Sequence, residues 1–170
     1  MQPDPTAAAW GLFQVRFAFL IQELATAVYY LRRRREPKIQ FGQIFKKTPD
    51  QLLTALEDEL DQIADEGHAE IPELREAVCP EIRKIKGWRD PRIHARVDLE
   101  NGITLYDWKT RKQLRMTAPE CCEMSDLAFS VALKSGGLVR SLLNDLKADE
   151  TLVSELTILL DPPDATQLTG

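Results

Sequence analysis

Three features of this 170-residue chain predict an all-α fold, an antiparallel four- to five-helix bundle with a small β-hairpin inserted between helices 3 and 4. Apolar residues recur at three- and four-residue steps over long stretches, the signature of helices with one buried face. Strand-like alternation is confined to one short region around Asn101-Gly102. The connections between stretches are short, which predicts antiparallel neighbours.

The first helix is predicted from about Ala7 to about Arg34. Phe13, Phe17, Leu20, Leu24, Val28 and Leu31 fall on one face. Leu12, Val15, Phe19 and Ile21 widen it, so this helix should be central and well covered. Gln14, Arg16, Gln22 and Glu23 interrupt its apolar run and make it a poor membrane span. Arg32 to Arg35 close the helix, where cations complement its dipole.

Thr48-Pro49 is an N-cap followed by proline at the first helical position and starts the second helix. Leu53, Leu56, Leu60 and Ile63 form its narrow apolar stripe, with Glu57, Asp58, Asp61 and Asp65 on the wet side, and it should stop near Gly67. Ile71, Leu74, Val78, Ile82 and Ile85 mark the third helix, which Pro80 should kink or restart. Its pattern ends at Trp88.

The stretch "RVDLENGITLYD" then alternates about Asn101-Gly102, a hairpin signal, and "KQLRMT" could add a third strand after a turn at Trp108 to Arg111. Trp88 and Trp108 should cover this hairpin. Lys109, Arg111, Lys112 and Arg115 make it basic, a common guard of edge strands. Thr117-Ala118-Pro119-Glu120 fits a capping box. It opens a long helix carrying Met124, Leu127, Val131, Leu138, Leu142 and Leu146, which Gly136-Gly137 should bend or break. A short last helix is predicted over Thr151 to Leu160. The chain as a whole, residues 1–170, is read as one domain with flexible tails at 1–6 and 161–170.

Composition narrows the function. Hydrophobic residues make up 44% and charged ones 29%, as in soluble globular chains, and the net charge of −5 argues against a general nucleic-acid coat. A local basic pocket remains compatible with it, because phosphate binding follows the local field. Cys79, Cys121 and Cys122 have neither metal-ligand nor CxxC spacing, so reduced thiols in a cytoplasmic protein are expected, with no cofactor and no metal. Cys121-Cys122, at a helix start, read as core filling.

The chemistry-bearing stretch is "KGWRDPRIHARV", Lys86 to Val97. His94 is suited to move a proton at neutral pH. Arg89 presents a planar fork that can grip a phosphate, and Asp90 can orient an imidazole or fix the arginine. Arg92 and Arg96 add positive charge on either side as substrate-binding candidates. These are the parts that a metal-free attack of a ribose 2′-hydroxyl on its own phosphodiester needs: a base for the proton, and a guanidinium for charge developing on phosphorus oxygens. The acid for the leaving oxygen would come from a second copy across a two-fold axis. His68, in the acidic stretch "DEGHAE", is a poor candidate. Pro91 should force Asp90 out of the α region and break the turn. On an unbroken helix, Arg89 and His94 would lie about 140° apart.

"RDPRIH" resembles the Arg-polar-x3-His signature of the HEPN superfamily, with Arg89, Asp90 and His94 in the signature positions, and the order of elements is similar too. That resemblance implies a small all-α domain and a metal-independent endoribonuclease, of toxin or defence type, acting on RNA as a homodimer and held by an antitoxin or other protein partner, with no membrane. It equally implies the alternative, a non-catalytic helical module binding a nucleotide, RNA or protein partner through the same cleft.

Overall fold

The computed structural model describes residues 4–65, 71–98, 104–107 and 109–145. His68, Asn101-Gly102, Trp108, the helix expected over 151–160 and the tail at 161–170 lie outside them. Helices dominate: α1 (Pro5–Arg33), α2 (Phe41–Phe45), α3 (Pro49–Asp65), α4 (Ile71–Ile93) and α5 (Ala118–Asp145). Three short strands, β1 (Arg96–Asp98), β2 (Thr104–Tyr106) and β3 (Gln113–Leu114), stand between α4 and α5.

The caps read from sequence are formed. Thr48 Oγ1 accepts from the Gln51 N–H while Gln51 Oε1 accepts from the Thr48 N–H at 2.9 Å. Thr117 and Glu120 reciprocate in the same way at the start of α5. The first helix begins two residues before its expected start, at Pro5, because Asp4 Oδ1 accepts from the Thr6 N–H at 2.9 Å. Residues 5 and 6, expected in a flexible tail at 1–6, are instead helical. The five-residue α2 was not expected, and it moves the hairpin to between the fourth and fifth helices.

The chain does not leave the helix at any of the three places where an interruption was expected. α4 runs unbroken through Pro80 and Pro91, and α5 runs through Gly136 and Gly137. A helical proline orphans the carbonyl four residues back. Here those carbonyls belong to Glu76 and Gly87, both exposed residues, so water can satisfy them.

α1 packs most extensively on α5 and also on α3, while α4 packs on both α3 and α5. The paired residues give the directions. Lys86 meets Asp50, Arg83 meets Glu57 and Arg75 meets Asp61, so α3 and α4 are antiparallel as expected. Arg16, however, meets Asp126 and Phe19 meets Phe129, so α1 and α5 run parallel, contrary to the antiparallel expectation. The reason lies in the segment from 34 to 48. It carries α2 back along α1, placing Phe41 against Tyr29 and Phe45 near Phe17, before α3 starts upward again.

The core sits among the four long helices. Phe13, Leu20 and Leu24 of α1, Leu56 and Leu60 of α3, Ile82 and Ile85 of α4, and Ala128 and Val131 of α5 are buried within it. Leu12 and Val15 of α1, expected under cover, are exposed. α1 is the one described helix long and apolar enough to cross a membrane by length and composition, and half of that stretch is buried in the fold.

The strands form one antiparallel sheet in the order β1-β2-β3, with Val97 opposite Leu105 and Leu105 opposite Leu114. The β2–β3 turn is held by Asp107, whose carboxylate accepts from the N–H groups of Lys109 and Thr110. Those two bonds hold its carboxyl below the ordinary value, the one from Thr110 contributing most. Arg111 takes a left-handed φ of 56° to close the turn.

Candidate functional site

The candidate residues all lie at the end of α4 and the start of β1, but the helix turns them to different sides. Trp88 packs inward: its ring meets Phe13 edge-on at 5.0 Å and Trp10 at 5.8 Å. It thus packs on α1 against the core. Arg89, the next residue, reaches across to α1, and its guanidinium lies 4.3 Å above the Phe17 ring.

Asp90 fixes the arginine. Its Oδ1 accepts from Arg89 Nη1 at 3.0 Å and its Oδ2 meets Lys86 Nζ at 2.7 Å. Lys86 also reaches Asp50 at 3.0 Å, tying the end of α4 to the start of α3. Asp90 and then Asp50 hold the Lys86 ammonium above its ordinary pKa.

Arg92 is engaged on three sides. Nη1 donates to the Trp88 carbonyl at 2.6 Å, and Nε and Nη2 donate to the Arg115 carbonyl at 3.2 and 2.8 Å. Its plane lies 4.3 Å over the Trp88 ring. Burial lowers its pKa from the ordinary arginine value. This arginine pins α4 to the segment between β3 and α5. Arg96, the other candidate for substrate binding, opens β1 opposite Tyr106.

His94 stands one residue beyond α4, its backbone N–H donating to the Asp90 carbonyl at 3.3 Å. The side chain is exposed, and among the described residues nothing hydrogen-bonds its ring. Because the helical bonding continues to His94, the offset of about 140° from Arg89 applies. The expected break at Pro91, which could have brought the two together, is not there.

A cleft of about 630 Å³ opens where Arg89 emerges. Phe17, Phe19 and Phe45 wall it, and Gln14, Gln22 and Arg89 are its polar groups. Two donors on this wall, Gln14 Nε2 and Arg89 Nε, are buried without a hydrogen-bond partner. Arg89 Nη2 makes no hydrogen bond among the described residues. Neither Asp90 nor His94 lines this cleft. Periodicity could not reveal it, because α2 builds part of its wall from a five-residue helix.

The arginine run at the end of α1 also has a tertiary role that its sequence does not show. Arg32 Nε and Arg35 Nη2 both bind the carboxylate of Glu59, which is buried on α3.

No family model matches the chain, and neither a curated protein nor a solved structure does.

Proposed function

We propose that the chain is a HEPN-like helical module that holds a nucleotide phosphate at Arg89, without cleaving it in the single chain. The placement of Arg89 carries the proposal. Its guanidinium is fixed by Phe17 and Asp90 and keeps an uncommitted edge at an aromatic-walled cleft. The cleft has the volume of a small-molecule site, aromatic faces suit a base, and a guanidinium suits a phosphate. His94, the group that chemistry would require beside it, lies outside the lining.

Calorimetric titration with adenosine monophosphate, adenosine triphosphate and a short single-stranded RNA tests this. Binding of a mononucleotide that Arg89→Ala weakens at least tenfold, with RNA left intact in the presence of a chelator, supports the module. Absence of nucleotide binding rejects it.

A metal-independent endoribonuclease of toxin or defence type is the second proposal. It is favoured by the exposed, unengaged ring of His94, which a facing copy of the chain could approach. In a homodimer the base and acid would come from two chains. RNA cleavage in chelator that His94→Ala removes selects this function over the first.

A further inference from the structure

Within one chain the outer face of α1 is left bare. Leu12 is 45% and Val15 68% exposed, and on α5 Phe129 and Leu133 are 40% and 56% exposed. The Phe19 and Phe129 rings, 5.9 Å apart, join the two helices. Because α1 and α5 run parallel, these five side chains form one apolar band. At 1.5 Å per residue it is about 16 Å long and two helices wide.

From Gly11 to Gln22 the only formal charge is Arg16. It turns towards α5, binding Asp126 and lying 5.2 Å from the Phe129 ring centroid. The one charge that α1 brings to the band is therefore neutralised by Asp126. The largest apolar patch on a protein surface is often a functional contact site.

We infer that this α1/α5 band is the surface through which two copies of the chain associate. The inference goes beyond both proposals above, since the band contains neither Arg89 nor His94. A two-fold interface must be self-complementary. This patch is: its apolar centre matches itself, and Arg16 of one copy can face Asp126 of the other without like-charge repulsion. The size agrees, since the apolar centre of an interface burying about 800 Å² per partner, ringed by polar residues, needs little more than this band. Other occupants fit less well. An RNA strand would need uncommitted cations, and Arg16 is already paired. An anionic lipid surface would meet Asp126, which is 76% exposed at the side chain.

Sedimentation equilibrium of the full chain, from about 1 to 100 µM, tests the inference against the 19.3 kDa chain mass. The expected result is a dimer that Leu12→Asp with Leu133→Asp, neither of which lines the Arg89 cleft, weakens at least 100-fold. Both positions are exposed in the single chain, and a thermal melt unchanged from that of the dissociated wild type verifies that the variant folds. Arg16→Asp alone should weaken the dimer, and Arg16→Asp with Asp126→Arg should restore it. A wild-type chain that stays monomeric throughout, or a dimer untouched by the double aspartate, overturns the inference, as does co-sedimentation of a monomer with phosphatidylserine vesicles. Nucleotide binding and RNA cleavage, measured separately, show whether the cleft and nuclease proposals fail independently.

Discussion

The guanidinium of Arg89 lies 4.3 Å above the ring of Phe17, so that a residue of α4 is positioned by one of α1. The ring is 4% exposed and belongs to the core, which makes the cation's platform rigid. A cation over an aromatic face is worth about 0.5–2 kcal/mol, more as water is removed. Phe17→Leu keeps an apolar side chain and removes the quadrupole. It should lower stability by about 1–2 kcal/mol, combining that loss with imperfect repacking. It should also weaken nucleotide binding nearly as much as Arg89→Lys, which keeps the charge but loses the planar stack. Urea unfolding and calorimetry measure the two effects.

Glu59 is 1% exposed and holds Arg32 and Arg35 by both of its oxygens. Removing one member of a buried ion network leaves the others short of a counter-charge, at a cost of about 3 kcal/mol. Glu59→Gln preserves the shape and should destabilise by nearly that amount. Arg35→Ala should cost less, since Arg32 still neutralises the carboxylate and Arg35 reaches water. Chemical denaturation of the three proteins at equal salt ranks them.

How far these features could be read without coordinates depends on their range. The caps at Thr48 and Thr117 were legible because they involve residues three apart. So were the stripes of α1, α3 and α5, because helical period and burial coincide at Leu53, Leu56, Leu60 and Ile63. The direction of α5 against α1 was not, since it depends on where the segment from 34 to 48 takes the chain. Glu59 sits in an acidic run and has the pattern of a wet residue; only its tertiary arginines explain its burial. At the candidate site, nearness in sequence misled. Arg89, Asp90, Arg92 and His94 fall within six positions, yet one faces α1, one salt-links α3 through Lys86, one pins Arg115 and one faces solvent. Proline rules predicted a break at Pro91, but the exposed Gly87 carbonyl makes the unbroken helix tolerable.

The three thiols should divide sharply. Cys79 is 1% exposed, and burial, followed by the charge of Glu57, pushes its pKa up to about 11. Cys121 is also buried and raised by burial. Cys122 is exposed in the first turns of α5. Since the thiolate is the reactive form, an aromatic disulfide reagent at pH 7.5 should titrate one thiol rapidly in the native protein and three after unfolding. Cys122→Ser should abolish the fast phase. Rapid native modification of Cys79 would contradict the packing of α3 on α4.

Glu23 gives the fold a pH dependence of its own. It lies one turn beyond Phe19 on the side of α1 that meets α5, is buried, and has no hydrogen bond or ion pair among the described residues. Burial raises its pKa above the ordinary 4.5. The folded state therefore holds the proton at pH values where the unfolded chain has released it. The resulting penalty is fully present above the folded pKa and disappears as the pH falls towards 4.5. Glu23→Gln removes the charge while keeping the shape. At pH 7.5 it should melt above wild type by a few degrees, the shift that about 1 kcal/mol produces in a chain of this length. The gap should close as the pH is lowered to about 5. Melting curves of both proteins across that range decide the matter: a constant gap would mean that Glu23 is ionised in the fold without cost, and a reversed one that it has a partner.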